Sequence, residues 1–140
     1  MKMKKSFVLL TLLILATQGA DLYAQNAANM ALLESTTPEE RANIQTELLK
    51  DKLMLADSQK EQLGKVNLKY AEQMEEVIKG GASKWTMYRT AKRFDKAKDE
   101  ELKALFSSDQ FSTYLSYKEQ LKRDGKEKLL QLREEKRKAE

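Results

Sequence analysis

Two short stretches, Leu55-Ala56-Asp57-Ser58-Gln59 and Phe106-Ser107-Ser108-Asp109-Gln110, carry a similar helix-start signature and lie 51 residues apart. In the second stretch, the Ser107 hydroxyl can accept a hydrogen bond from the backbone of Gln110, while the Gln110 side chain reaches back to the backbone of Ser107. Such a capping box contributes about 1 kcal/mol to helix stability. Each stretch follows a leucine- and lysine-rich segment, so the pair predicts a helical hairpin between them.

The composition of the chain predicts an all-α fold. Beyond residue 24 the only β-branched aliphatic residues are Ile44, Val66, Val77 and Ile78, and the one proline is Pro38. Strands need many more β-branched residues than this. Leucine, lysine, glutamate, glutamine and alanine dominate instead, and all of these favour helices.

Start and stop signals divide the chain into four predicted helices. The first has a threonine cap, a proline at its first position and a glutamate at its third, which is a clear helix start. Two adjacent glycines, Gly80 and Gly81, end the second helix and reverse the chain. The predicted ranges are Thr37 to about Lys52, Asp57 to Lys79, about Lys84 to Leu105, and Ser108 to near Arg137.

Apolar residues at three- and four-residue steps identify the faces expected to be buried. The first helix has two such groups, which favours either a partner on each side, one of them a second subunit, or a single deep groove. In the first helix the two groups are Ile44 and Leu48 on one side and Ala42, Leu49 and Leu53 on the other. The stripe of the second helix consists of Leu63, Val66, Tyr70, Met74 and Val77, and that of the third of Met87, Tyr88, Ala91, Phe94, Leu102 and Leu105. The stripe of the fourth helix consists of Phe111, Tyr114, Leu115, Leu121, Leu129 and Leu132.

The fourth helix carries a glycine on its apolar stripe. Glycine inside a helix costs about 1 kcal/mol relative to alanine. Gly125 therefore predicts a kink or a close helix crossing. The segment from Arg133 to Glu140 is almost wholly charged and is expected to fray, most of all at residues 138–140.

The first 24 residues are typical of a secretory leader. Three lysines precede an apolar run from Phe7 to Ala16, and a peptidase site follows at Ala24. The run is shorter than the ~20 residues of a membrane span, which disfavours the alternative of a membrane anchor, and the absence of cysteine argues against a lipidated one. We expect export to the periplasm, a flexible segment at residues 25–36, and one helical domain at residues 37–137.

Several classes of active site are incompatible with this composition. Histidine and cysteine are both absent, so a Ser-His-Asp triad, a cysteine nucleophile and the usual zinc or copper sites are not available. No glycine-rich phosphate loop is present. The carboxylate pairs Glu75-Glu76 and Glu134-Glu135 are interpreted as solvated surface. We therefore expect neither enzymatic activity nor a cofactor or metal.

The chain resembles the Spy and CpxP group of small periplasmic proteins, whose repeated motif is LTxxQ. The resemblance rests on the motif residues Leu55, Asp57 and Gln59 in the first copy and on Phe106, Ser107 and Gln110 in the second. The first motif copy departs from the family pattern, because Ala56 stands where the family has a capping threonine. We therefore expect Asp57 to act as the N-cap of the second helix, and this helix to begin one residue later. The resemblance implies a cradle-shaped antiparallel homodimer that binds unfolded or stressed envelope proteins without ATP, or that reports envelope stress to a signalling partner.

One face of the third helix is a candidate client-binding surface. At 100° per residue, Trp85 falls about 120° from the centre of the apolar stripe, together with Arg89, Arg93 and Lys96. Such a surface combines apolar and cationic character and suits loosely structured polypeptides. The alternative places Trp85 against the Gly80-Gly81 bend or a dimer partner.

Three functions are compatible with these features. The first is transient capture of unfolded clients, and the second is docking on one defined envelope partner. A third, a Skp-like chaperone, would need a trimerising β segment that the sequence does not show. Nucleic acid is not an expected partner. Cleavage of the leader would remove three lysines and one aspartate, and the remaining chain would be close to charge balance.

Overall fold

The computed structural model describes residues 28–140, and in that range every regular element is a helix. The predicted all-α class is confirmed. The leader expected at residues 1–24 lies outside the described residues. None of the helices in 28–140 has both the length and the apolar content to cross a bilayer. Four of them follow each other closely along the chain: α1 (Pro38–Leu53), α2 (Asp57–Lys79), α3 (Lys84–Leu105) and α4 (Ser108–Ala139).

Of the described residues, 28–35 belong to a separate compact unit, which ends at Ser35. Residues 28–34 are helical, although the sequence predicted a flexible segment at 25–36 and no helix before Thr37. The Ser35 hydroxyl donates a hydrogen bond to the backbone oxygen of Leu32, 3.1 Å away, and so bonds a carbonyl near the end of this short helix.

The start of α1 has the predicted capping box. The Thr37 hydroxyl accepts a hydrogen bond from the backbone of Glu40 at 3.1 Å, and the Glu40 carboxylate accepts one from the backbone of Thr37 at 2.9 Å. Pro38 occupies the first helical position, where no backbone donor is needed. The helix ends at Met54, which has left-handed backbone angles (φ 52°).

Neighbouring helices run antiparallel, as their ion pairs show. Between α1 and α2, Arg41 pairs with Glu75 at 2.6 Å near one end, and Glu47 pairs with Lys60 at 2.6 Å nearer the other. The α2–α3 pair is joined by a hydrogen bond of 2.6 Å from the Tyr70 hydroxyl to Glu101. Helix α1 packs against both α2 and α4.

Three leucines, one from each of the first three helices, form the centre of the core. Leu49, Leu63 and Leu102 have no exposed surface. The core cluster also contains Leu53, Leu55, Phe106, Tyr114 and Leu121.

The predicted apolar stripes are wrong at three positions. Tyr88 and Leu115 are 52% and 49% exposed, and Ala91 is also exposed. Tyr88 and Leu115 lie at the edge of their stripes, where the side chain already points away from the neighbouring helices. Ala91 lies near the centre of its stripe and is nevertheless exposed.

Helix α4 is continuous through Gly125, and the predicted close helix crossing at this residue is wrong. A Cβ atom built on Gly125 would have no atom within 4 Å. We therefore expect Gly125→Ala to raise the free energy of unfolding by about 1 kcal/mol, because alanine removes the helix penalty of glycine without a clash. Urea denaturation measures this change, and a loss of stability would show that α4 needs glycine here.

The charged C-terminal segment is helical as far as Ala139, although the sequence predicted fraying. The Lys136 ammonium lies 2.5 Å from the Glu40 carboxylate at the start of α1. This contact lowers the pKa of Glu40, mainly through the hydrogen bond from Lys136. The contact between Lys136 and Glu40 thus stabilises the charged end of α4, although this segment has no apolar stripe of its own.

Candidate functional site

The two motif copies meet, and their glutamines bond to each other. The Gln59 amide donates to the Gln110 side-chain oxygen at 2.8 Å, and the Gln110 amide donates back to Gln59 at 3.2 Å. Each glutamine also reaches the carbonyl that ends the helix before the other motif. Gln59 donates to the Leu105 oxygen at 3.4 Å, and Gln110 to the Leu53 oxygen at 3.5 Å. We call this arrangement of Gln59 and Gln110 the glutamine clasp.

The two motif copies differ in their helix caps, because the N-cap residue is Ala56 in the first copy and Ser107 in the second. Ser107 completes the predicted box, because its hydroxyl accepts from Gln110 at 3.2 Å and its backbone donates to Gln110 at 3.0 Å. In the first copy the cap stays at Ala56, and the expected transfer to Asp57 is wrong, since Asp57 is already the first helical residue. Only the return bond is present there, from the Ala56 backbone to Gln59 at 3.1 Å.

The missing cap predicts a gain of stability. Ala56→Ser restores a hydroxyl acceptor at the start of α2 and should raise the free energy of unfolding by about 1 kcal/mol. Ser107→Ala is the matched opposite change and should lower it by a similar amount. Urea denaturation of both variants checks this, and an unchanged Ser107→Ala protein would show that the cap contributes nothing.

A polar cluster fills the space between α1, α3 and α4. Lys98 on α3 donates to the Gln45 side chain at 2.7 Å. Lys118 on α4 lies 2.7 Å from Asp95 and 2.6 Å from Asp99. The hydroxyl of Tyr114, a residue that is 2% exposed, donates to Asp99 at 2.7 Å.

Ionisation within this cluster is strongly perturbed. Burial lowers the pKa of Lys98 to about 8, because the Asp95 and Asp99 carboxylates only partly offset its desolvation and Lys118 opposes its charge. Burial also raises the pKa of Tyr114, and its bond to Asp99 adds to the effect. The cluster holds α3 close to α4, and every strongly perturbed group in it has a structural partner.

One member of each carboxylate pair interpreted as solvated surface takes part in an ion pair, and the other members, Glu76 and Glu135, are exposed. Glu75 is only partly exposed, and the hydrogen bond from Arg41 lowers its pKa. Glu134 pairs with Arg137 at 2.6 Å. In residues 28–140 no three Asp or Glu side chains are grouped closely enough to hold a metal ion.

The candidate client-binding residues lie on the exposed side of α3. Trp85 is 65% exposed, and Arg89, Arg93 and Lys96 are also exposed.

The structure adds two residues to this set that sequence analysis missed. Tyr88 stacks on Trp85 with ring centroids 5.9 Å apart, and the Lys92 ammonium lies 5.0 Å from the centre of the Tyr88 ring. At 100° per residue Lys92 falls only 20° from Trp85, so helical geometry alone could have found it. We call the six residues the aromatic–cationic face: Trp85, Tyr88, Arg89, Lys92, Arg93 and Lys96.

The charges of this face are not balanced by carboxylates. Within residues 28–140, none of its four cations has a carboxylate oxygen within 4 Å, whereas the nearby acid Asp95 is held by Lys118. The hydrogen bond with Tyr88 raises the pKa of Lys92. The face thus presents a stacked aromatic pair within a strip of positive charge.

Comparison with known proteins assigns a family to the chain. A family model described as a domain of unknown function, DUF4890, matches residues 24–114. The chain belongs to the DUF4890 family. No curated protein and no solved structure matches it. The DUF4890 match covers α1 to α3 and ends at Tyr114, so it includes both motif copies and the whole aromatic–cationic face.

Proposed function

We propose that this DUF4890 protein is an ATP-independent periplasmic chaperone that transiently binds unfolded or stressed envelope proteins through its aromatic–cationic face. The observation that carries the proposal is the exposed Trp85–Tyr88 stack beside four cations that have no carboxylate partner among residues 28–140. Exposed aromatic pairs of this kind bind apolar segments, and unbalanced charge attracts acidic ones from a distance. Contacts of this sort are weak and distributed, so a client can leave without an energy source.

The proposal includes the arrangement implied by the resemblance to Spy and CpxP. In that arrangement the helices form elongated hairpins, and two copies pair as an antiparallel cradle. The glutamine clasp supports this part, because it gives the two motif copies a common structural role. The solution mass and the small-angle scattering profile of the mature chain test it, and a compact monomer would contradict it.

An aggregation-suppression assay tests the function. Purified mature protein is mixed at near-stoichiometric ratio with several unrelated aggregation-prone clients, and light scattering is followed. We expect broad protection by the native protein and little by the double variant Trp85→Ser, Tyr88→Ser. Both residues are exposed, so this variant should fold normally, which circular dichroism checks.

A matched control distinguishes this face from exposed apolar surface in general. Met54 and Leu115 are 87% and 49% exposed and lie elsewhere on the molecule. The variant Met54→Asn, Leu115→Ser should retain full protection. If no client is protected while a single envelope protein co-purifies with the native chain, the protein is a docking partner in stress signalling and the chaperone proposal is wrong.

A further inference from the structure

The aromatic–cationic face has the geometry of one continuous strip. Taking Trp85 as 0° on the helical wheel, its residues lie between about −60° (Tyr88) and about 80° (Arg93), with Lys96 near 20°. From Trp85 to Lys96 the strip is about 16 Å long at 1.5 Å per residue. The opposite side of α3 carries Phe94, which packs on Tyr70 of α2 with ring centroids 5.9 Å apart. The strip therefore faces away from the α2 partner.

The shape of this surface disfavours a small-molecule site. Such sites are concave and enclose most of their ligand. The groove found between α1 and α2 is lined by residues such as Glu39, Asp57 and Glu61, and none of the six residues of the face contributes to it. A broad, negatively charged layer that accepts exposed aromatic rings at its boundary matches the face better.

We propose that the aromatic–cationic face docks on the surface of an anionic phospholipid membrane. Lysine and arginine side chains are attracted to anionic headgroups, and tryptophan and tyrosine rings settle at the headgroup level, where the ring is apolar and its N–H or O–H stays hydrated. Four cations and two rings along one exposed helix face match both requirements. The helix lies along the surface and does not cross it.

This proposal goes beyond chaperone activity and does not depend on it. One consequence does rest on the proposed function: lipid and client would compete for the same face, so membrane docking would withdraw the protein from client capture. Anionic vesicles added to the suppression assay should then reduce protection, whereas zwitterionic vesicles should not.

Vesicle flotation without any client tests the docking itself. The mature protein is mixed at low salt with vesicles of equal parts phosphatidylglycerol and phosphatidylcholine, or with phosphatidylcholine alone. We expect flotation with the anionic vesicles only, together with a blue shift of Trp85 emission. Because each Lys or Arg near such a surface contributes about a fivefold change in affinity, the variant Arg89→Gln, Lys92→Gln, Arg93→Gln, Lys96→Gln should bind at least tenfold more weakly.

The control variant removes the same charge from other exposed positions. Lys122→Gln, Arg123→Gln, Lys128→Gln, Lys138→Gln, all at exposed positions of α4, should retain most of the vesicle binding, which separates the face from the effect of net charge. Equal loss in both variants, or no flotation of the native protein, would overturn the proposal. A competition experiment gives a further outcome that would overturn the proposal. If soluble poly-glutamate displaces the protein from vesicles as effectively as additional anionic vesicles do, at equal negative charge, the face is a general polyanion site.

Discussion

Replacing Lys98 by methionine is expected to raise the free energy of unfolding at pH 7 by about 2 kcal/mol. The pKa of Lys98 falls from 10.5 to about 8 on folding, chiefly through burial, and a shift of this size corresponds to about 3 kcal/mol of destabilisation below pH 8. Methionine has a similar length and no charge to desolvate. Loss of the hydrogen bond to Gln45 offsets the gain by about 1 kcal/mol.

The pH dependence of this gain follows from the direction of the shift. Between pH 8 and 10.5 the unfolded chain binds the Lys98 proton and the folded chain does not, so the native protein gains stability from this residue as pH rises. The advantage of Lys98→Met should therefore be full at pH 7 and close to zero at about pH 9.5. The other charged groups facing Lys98 are Asp95 and Asp99 on its own helix and Lys118 on α4.

Urea denaturation at the two pH values measures the effect. Lys103→Met removes the same charge from an exposed position of the same helix and should change stability by less than about 0.5 kcal/mol at either pH. A Lys98→Met protein that is less stable than the native protein at pH 7 would show that Lys98 gains more from its partners than it loses by burial.

Breaking the glutamine clasp is expected to cost about 2 kcal/mol for either single substitution. Gln59→Met and Gln110→Met preserve side-chain length but remove the amide, which leaves the partner amide and a backbone carbonyl without their hydrogen bonds. Because the two amides bond to each other, the double variant should lose less than the sum of the single losses, by about 1 kcal/mol.

A double-mutant cycle in urea measures this coupling. Gln120→Met is a suitable control, because Gln120 is exposed and its amide bonds within its own helix, donating to Asp124 at 2.6 Å and accepting from Arg123 at 2.8 Å. It should have little effect. Additive losses for Gln59 and Gln110 would mean that each glutamine acts only as a local cap, and the two motif copies would then have no energetic connection.

Helix positions could be predicted from the sequence because their signals are local. Gly80-Gly81 predicts the last residue of α2, and the second motif copy predicts the last residue of α3; both agree with the structure. Caps, turn glycines and a proline at the first helical position act on the backbone within a few residues. No knowledge of the packing partner is needed to interpret them.

Features that depend on tertiary contacts are harder to predict from the sequence. The bond between Gln59 and Gln110 joins residues 51 positions apart, and neither motif alone indicates that the copies meet. Asn67 is 2% exposed and donates to Thr46 at 2.9 Å, yet a lone asparagine beside an apolar seam has no sequence signal for burial. The buried state of Lys98 likewise depends on long side chains from α1 and α4.

The candidate face was predicted in outline and completed by the structure. Trp85 falls well off the apolar stripe, which pointed to an exposed position but left open a contact with the Gly80-Gly81 bend or a dimer partner. The sequence placed Tyr88 on the apolar stripe, whereas in the structure Tyr88 is exposed and stacks on Trp85, one helical turn before it on α3. Its role in client binding stays a prediction.

The emission of Trp85, the only tryptophan of the chain, tests the central claim most directly. The native protein is titrated with an unfolded client that contains no tryptophan. Since Trp85 is 65% exposed, the account predicts red-shifted emission from the free protein and a saturable blue shift as client binds. Emission that is already blue in the free protein, or that stays unchanged while client is demonstrably bound, would contradict capture at this face.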